Sequence, residues 1–289
     1  MINQLTSPSQ IKSIMKKHNV RFSKSLGQNF IINDFIIDEI VRRGDISDAD
    51  SILEIGPGIG VLTQALAETA HQVVAVELDN KLIPILHETL EDYKNVEIIH
   101  NDILKIDVGQ MIKEKMEKPT KVVANLPYYI TTPIIMKLIE EVSGIKEIIV
   151  MVQKEVAERM VSGPGTKDYG SLSVAVQYYC DAMIILDVPR DDFMPAPNVD
   201  SAVIRLIVRD KPAVEVLDQE FFFKIIKGAF ALRRKTLINS LSKSAIGIDK
   251  ELLKRILEEM NIDLRIRGER LDINDFADLA NRIYKETQN

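Results

Sequence analysis

Ser51-Ile-Leu-Glu54-Ile-Gly56-Pro-Gly58-Ile-Gly60 is an apolar run that stops at three glycines spaced two apart. Ile52 to Ile55 reads as a buried parallel strand, and the following pattern Val61, Leu62, Ala65, Leu66 reads as a helix. Strand, glycine turn and helix make a nucleotide site at the carboxyl edge of a doubly wound sheet. Glycine is needed there because the backbone turns tightly and a ligand must approach without meeting a Cβ. A dinucleotide loop reads G-x-G-x-x-G and rests a pyrophosphate on the helix N-terminus. Here the spacing is E-x-G-x-G-x-G, one residue tighter, with Glu54 two positions before the first glycine. A carboxylate repels a pyrophosphate and neutralises a cation. The ligand it favours is S-adenosylmethionine, whose amino and sulfonium groups are positive and which carries no phosphate. The same spacing disfavours a nicotinamide dehydrogenase.

Outward from this stretch, apolar runs recur at βα intervals. Ser51–Ile55, Gln72–Glu77, Val96–His100, Lys121–Asn125 and Glu147–Val152 read as parallel strands with helical patterns between them. Ala182–Val188 and Ser201–Val208 are joined by a Pro-rich connection without a helix, which makes them antiparallel neighbours at a sheet edge. The expectation is an α/β chain with a Rossmann-like, class I methyltransferase sheet: parallel strands plus an antiparallel edge hairpin. From Asp210-Lys-Pro212 onward the period is helical throughout, at Phe221–Ala231, Thr236–Leu241, Glu251–Met260 and Asn274–Tyr284. The domain boundaries read as 1–209 for the sheet domain, with a basic leader helix over residues 1–20, and 210–289 for a small all-helical domain.

The strand ends carry the chemistry. Glu77, at the end of the second strand, either hydrogen-bonds ribose hydroxyls or caps the next helix. Asp102, in Asn101-Asp102-Ile103 after the third strand, can accept from the exocyclic amine of an adenine. The fourth strand ends in Asn125-Leu126-Pro127-Tyr128, the most specific signal in the chain. The Asn125 side-chain oxygen and the Leu126 carbonyl can each accept one N–H of a planar amine. Pro127 fixes φ and holds that carbonyl outward, and Tyr128 offers a ring for stacking a base. In Phe193-Met-Pro195-Ala-Pro197-Asn-Val199-Asp200-Ser201, the prolines either bury Phe193 in a stiff hairpin or present it as a second stacking wall; the residues alone favour the first. Gln28-Asn29-Phe30, ahead of an apolar helix from Phe35 to Val41, is either a connector or a cover over a ligand.

At 289 residues, with 46% hydrophobic and 28% charged side chains, the chain is an ordinary globular protein of one large and one smaller domain. No apolar run approaches the roughly 20 residues of a membrane span, and no secretory signal is readable, so a cytoplasmic location is expected. The single cysteine, Cys180, allows no internal disulfide, and the four histidines are scattered without ligand spacing, so no metal is expected. The net charge of −6 argues mildly against a nucleic-acid partner, but its distribution argues for one. No acidic residue precedes Asp34, whereas Arg21 and Lys24 do, and Arg233, Arg234 and Lys235 lie in a second acid-free stretch between Glu220 and Asp249. These runs are either solvated helix faces or an RNA surface.

At these motifs the chain resembles the ribosomal RNA adenine N6-dimethyltransferases, in their small-subunit branch. Lys24-Ser-Leu-Gly-Gln-Asn-Phe30, the Glu54–Gly60 loop, Asn125-Leu-Pro-Tyr128, Val152-Gln-Lys-Glu-Val-Ala-Glu-Arg159, Phe193-x-Pro-x-Pro-x-Val199-Asp-Ser201, Arg233-Arg-Lys-Thr-Leu237 and Arg267-Gly-Glu-Arg-Leu271 carry the resemblance almost end to end. It implies S-adenosylmethionine held by Gln28, Asn29, Phe30, Ile31, Glu54, Gly56, Gly58, Gly60, Glu77, Leu78, Asp102, Ile103 and Asn125. It implies a target adenine held by Asn125 to Tyr128 and stacked by Phe193. The two acid-free runs, not the resemblance, offer Arg21, Lys24, Arg233, Arg234 and Lys235 as the RNA contacts. The implied substrate is two adjacent adenosines in the 3′-terminal hairpin loop of 16S rRNA, met by a monomer on a nearly assembled 30S subunit. Hydrogen bonds from the two N6 N–H groups to Asn125 and Leu126 would localise the N6 lone pair, with no metal and no strong base required. Two rivals remain: a 23S rRNA methyltransferase of the antibiotic-resistance kind, and a non-catalytic assembly or nucleic-acid-binding factor. The helical-domain motifs weigh against the first and the intact strand-end residues against the second.

Overall fold

The computed structural model describes residues 5–23, 26–141 and 143–287. The strands are β1 (Phe30–Ile31), β2 (Ser51–Ile55), β3 (Gln72–Glu77), β4 (Val96–His100), β5 (Thr120–Asn125), β6 (Ile145–Gln153), β7 (Cys180–Val188), β8 (Phe193–Met194) and β9 (Ser201–Val208). The helices are α1 (Pro8–Lys17), α2 (Asp34–Arg43), α3 (Val61–Thr69), α4 (Ile83–Thr89), α5 (Val108–Lys115), α6 (Thr131–Glu141), α7 (Lys154–Val161), α8 (Ser171–Tyr179), α9 (Gln219–Ala231), α10 (Leu237–Lys243), α11 (Lys250–Glu259) and α12 (Ile273–Thr287).

Seven strands form one sheet in the order β4-β3-β2-β5-β6-β9-β7. Neighbouring strands from β4 to β6 run parallel, and β9 runs antiparallel to β6, with Gln153 opposite Ser201 and Glu147 opposite Ile207. Strand β2 is buried at every position because it is central and covered on both faces, which is why its sequence is a continuous apolar run rather than an alternation. The chain winds outward from β2 to β3 and β4 on one side, then returns to place β5 on the other. The strand order therefore reverses beside β2, and ligands of such sheets bind in the crevice at that reversal. Parallel pairing also carries the ends of β2, β3 and β5, with their polar residues Glu54, Glu77 and Asn125, to one edge of the sheet.

The chain divides into two compact units. The first runs to Ala157 and resumes at Met183–Val208. Its helix α2 lays Ile36, Ile37 and Ile40 against Leu62, Leu66, Val73, Val123 and Ile149. Burying each such side chain contributes about 1.5–3 kcal/mol. The leader helix α1 packs Ile11 and Met15, both buried, against Phe30, Ile59, Leu82 and Ile85. Its polar end is tied down by Lys17 Nζ and His18 Nε2, which reach the two carboxylate oxygens of Glu88 at 2.6 and 2.8 Å. A second, two-stranded sheet pairs β1 with β8, Phe30 opposite Met194 and Ile31 opposite Phe193. Such short strands carry no periodicity, so nothing in the sequence announces them.

The second unit comprises Glu158–Ala182 and the chain from Arg209 onward. It is helical, as its period predicts, but larger than the sequence boundary at 209/210 makes it. Residues 158–182 read as part of the sheet domain, yet Tyr169, Val174 and Tyr178 are buried in one cluster with Phe222, Ile225, Leu237, Leu253, Phe276 and Leu279. The Tyr178 and Phe222 rings lie 5.2 Å apart. Which core an apolar helix joins is decided by long-range packing, so α8 could not be assigned from its own residues.

Candidate active site

A cavity at the carboxyl edge of β2, β3, β4 and β5 lies within the first unit. Its wall includes Gln28, Asn29, Phe30, Ile31, Glu54, Gly56, Gly58, Glu77, Leu78, Asp102, Ile103 and Asn125 to Tyr128. Chain segments about a hundred residues apart thus meet in one place.

Glu54 is 1% exposed, and its Oε2 has no hydrogen-bond partner; the same holds for the neighbouring Thr63 Oγ1. Burial pushes the Glu54 carboxyl from 4.5 to about 8, against the opposing pull of the nearby Thr63 hydroxyl and with the charge of Glu77 acting in the same direction as burial. A buried carboxylate oxygen without a donor is costly, and a cation arriving in the cavity would relieve it. Glu77 is held differently. Its Oε2 accepts from Gly58 N at 3.2 Å and its Oε1 from Asp79 N at 2.7 Å, so both oxygens are aimed by the backbone. Burial raises the Glu77 pKa, and these backbone donors oppose the rise. Glu77 does not cap a helix, since the residue before α4 is Leu82. Asp102 accepts from Leu104 N at 3.0 Å and pairs with Lys105 at 3.5 Å, beside the buried Ile103.

The glycines differ in their work. Gly56 (φ +70°) has no atom within 4 Å of where a Cβ would stand, so its missing side chain leaves open room on the cavity wall. Gly58 (φ +64°) would place a Cβ 2.9 Å from the Phe30 ring. Gly60, expected to touch the ligand, does not line the cavity; a Cβ there would lie 3.0 Å from Thr89 Oγ1 and 3.3 Å from Leu90, and its φ of +93° starts α3. Its glycine serves packing against α4.

The segment Leu26–Ile31 forms a strap along the cavity. Gln28 donates from Nε2 to Asp79 Oδ2 at 2.9 Å and accepts at Oε1 from Ser23 N at 2.8 Å. Asn125, at the end of β5, donates from Nδ2 to the Asn29 carbonyl at 2.9 Å. A carbonyl only accepts, so this bond fixes which way the Asn125 amide faces and leaves Oδ1 as the acceptor. Leu126 is anchored by its N–H to the Met151 carbonyl at 3.1 Å and by a buried side chain. The carbonyl of Pro127 (φ −59°) receives the Thr131 hydroxyl at 3.1 Å. Tyr128 is pinned through its hydroxyl to Ser201 Oγ at 2.7 Å, which holds its ring as a wall.

Phe193 is not brought to this cavity. It is 3% exposed and packs in the core with Ile31, Val188 and Val203, because β8 pairs with β1 and turns the ring inward. The expected stacking role is therefore corrected to a packing one; the buried hairpin is the arrangement found. Among the basic residues, Arg21, Arg234 and Lys235 are exposed, while Lys24 lies outside the described residues. Arg233, also exposed, donates to the carbonyls of Lys167 and Tyr169 and stands 3.8 Å from Glu269, so its guanidinium is braced within the second unit.

Asp79 and Tyr129 were missed by sequence reasoning. Asp79 is buried and holds Gln28; Tyr129 lines the cavity yet is 54% exposed. The spacing Glu77-Leu-Asp79 was the available signal for the first, and adjacency to the tyrosine motif for the second. Cys180 is buried, and burial pushes its thiol up to about 12, which excludes it as a nucleophile. Among the described residues no cluster of three or more His, Cys, Asp or Glu side chains is arranged to hold a metal ion, and no helix is long and apolar enough to cross a membrane.

Three carboxylic side chains, Glu54, Glu77 and Asp102, lie on the cavity wall and no Lys, Arg or His is among the described lining residues, so the charge of the wall favours a cationic group.

The family model for ribosomal RNA adenine dimethylases matches residues 5–279. The small-subunit ribosomal RNA methyltransferase A of Alkaliphilus metalliredigens is 52% identical over 98% of this chain and 99% of its own length. That of Clostridioides difficile is 51% identical, over 98% of each chain. Among solved structures, a dimethyladenosine transferase from Plasmodium falciparum superposes with a TM-score of 0.76 at 27% identity, covering 89% of this chain and 98% of that one. The 23S rRNA methyltransferase ErmE gives 0.66 at 25% identity, covering 89% and 100%.

Proposed function

Since the chain belongs to the ribosomal RNA adenine dimethylase family, we propose that it transfers methyl groups from S-adenosylmethionine to N6 of two adjacent adenosines in the 3′-terminal hairpin loop of 16S rRNA, on a late precursor of the 30S subunit in the cytoplasm. Being an rRNA adenine dimethyltransferase of the small-subunit kind follows from 52% and 51% identity along nearly the whole chain to proteins of that name. The 23S alternative is represented by ErmE at 25% identity, about half the identity shared with the small-subunit proteins above.

The observation that carries the reading is the meeting, at one cavity, of an oriented Asn125 amide with the carboxylates at the strand ends. Glu54 supplies an anion for the ammonium of the cofactor, Glu77 acceptors for its ribose, and Asp102 with Ile103 the surroundings of its adenine. When bound, S-adenosylmethionine supplies a methyl group on a positively charged sulfur. The rest is done by the chain. An adenine N6 is a poor nucleophile because its lone pair is delocalised into the ring. Asn125 Oδ1 and the Leu126 carbonyl accept its two N–H groups, draw the amine toward tetrahedral geometry and localise the pair. Tyr128, fixed by Ser201, holds the ring plane, so that part of the barrier is removed by placement. The N6 proton leaves to water afterwards, and no basic side chain is needed. The target base must be unstacked to enter, which costs least in a hairpin loop.

The test is methyl transfer from labelled S-adenosylmethionine to undermethylated 30S particles, with mature 30S and 50S particles alongside. Label recovered as N6,N6-dimethyladenosine from undermethylated 30S alone is the expected result. Label in 50S would move the protein to the 23S branch. No label despite cofactor binding would leave an assembly factor.

A further inference from the structure

Gln28 and Asp79 face each other with their polar atoms committed. The Asp79 carboxylate can only accept, so the Gln28 atom 2.9 Å away must be its amide nitrogen. The opposite face of that amide then presents Oε1, which accepts from Ser23 N at 2.8 Å. The other Asp79 oxygen accepts from Lys81 N at 3.1 Å, and the Asp79 N–H is given to Glu77. One residue after Gln28, the Asn29 carbonyl receives the Asn125 amide. A continuous chain of hydrogen bonds and backbone thus runs from the β3 end, through the strap, to the amide at the β5 end.

We propose that the Gln28–Asp79 pair is a latch whose work is to fix the Asn29 carbonyl and, through it, the orientation of Asn125. On this assignment Gln28 and Asp79 are positioning residues, and the Gln28 carboxamide is not primarily a cofactor contact. The inference rests on the reading of Asn125 given above. Its reason is chemical: an unfixed Asn125 amide can turn over and present its NH2 to the adenine amine, donor against donor, and the transfer step loses the polarisation it depends on. With the strap held, only the oxygen faces the base. The pairing of β1 with β8 holds the strap at Phe30 and Ile31, on one side of the Asn29 carbonyl, and the latch holds it at Gln28, on the other.

The latch can be rebuilt with donor and acceptor exchanged. In Asp79→Asn alone, the amide has one oxygen for two donors, Gln28 and Lys81 N. In Gln28→Glu alone, two carboxylates meet. In the double variant Gln28→Glu/Asp79→Asn, the carboxylate now at position 28 accepts from Ser23 N and from the amide now at position 79. That amide still accepts from Lys81 N through its oxygen, and the total charge of the pair is unchanged. Each single variant should lower kcat for methylation of 30S particles about tenfold or more at saturating cofactor and RNA, and the double variant should return to within about threefold of the parent. Cofactor affinity, measured by calorimetry with S-adenosylhomocysteine, should change less than kcat in all three, and the thermal midpoint of the double variant should match the parent. Four results would overturn the latch: singles with parental kcat, additive losses in the double variant, cofactor affinity falling as far as kcat in the singles, or a loss confined to affinity that the double variant does not restore. If the parent protein itself methylates no RNA, it is the proposed function that fails; a methylating parent with an unrecovered double variant fails the latch alone.

Discussion

Replacing Glu54 by Gln should remove a pH dependence that the parent protein carries in its folding stability. The carboxyl is 1% exposed, one oxygen lacks a partner, and its pKa rises from 4.5 to about 8 in the folded chain. The folded state therefore binds this proton more tightly than the unfolded state does. The resulting stabilisation is complete below about pH 4.5 and is lost as pH rises through about 8. Within that window each pH unit removes about 1.4 kcal/mol, so the whole term is about 5 kcal/mol. Glutamine has the same shape and no charge to desolvate. Urea unfolding of the ligand-free proteins between about pH 5.5 and 7.5 should show the parent losing about 3 kcal/mol relative to Glu54→Gln. Binding should move the opposite way. A ligand bringing an ammonium to Glu54 needs the anion, so its binding displaces a proton over this range, in which an α-amino group of ordinary pKa keeps its own. The affinity of the parent for S-adenosylmethionine should then rise with pH, approaching about tenfold per unit, while that of Glu54→Gln stays flat. Parallel stability profiles for the two proteins would refute the burial argument. Parallel affinity profiles would refute the role of Glu54 toward a cation.

Three further outcomes follow from the site. Asn125→Ala should abolish most methyl transfer, by about a hundredfold or more, while S-adenosylmethionine binding by calorimetry stays near the parent value. Phe193→Ala should cost about 3–5 kcal/mol in urea unfolding, as a core deletion does, and Phe193→Leu should recover most of it; a stacking residue would instead show a raised KM for RNA in the leucine variant. Arg234→Glu with Lys235→Glu should weaken 30S binding and flatten its salt dependence by about two contacts, leaving cofactor affinity unchanged, because both side chains stand exposed on the second unit and neither lines the cavity.

Much of the sheet was legible because its strands obey short-range rules. Ser51–Ile55, Gln72–Glu77, Val96–His100 and Ser201–Val208 have the bounds their apolar runs announce. A strand buried on both faces must be apolar throughout, and one that ends at a ligand must end in a turn. Glu54, Glu77, Asp102 and Asn125 were legible for the same reason: parallel strands deliver their carboxyl ends to one edge. The helical unit was legible in kind and not in extent, since α8 has the period of a helix whichever core it joins.

What the sequence determined by itself is what lies within a few residues of its cause: the strand-and-glycine turn at Glu54–Gly60, the carboxylate spacing that refuses a phosphate, and the rigid turn at Asn125 to Tyr128. What only the tertiary structure decided are pairings between distant segments. Phe193 is in the core because β8 meets β1, a segment far away along the chain. Gly60 is a packing glycine because Thr89 and Leu90 lie against it. Arg233 is braced because the carbonyls of Lys167 and Tyr169 come within its reach. Gln28 finds Asp79, and Asn29 finds Asn125, only once the strap has crossed the sheet edge. Hydrogen bonds act over about 3 Å, and no local pattern can state which distant atoms the fold will bring that close.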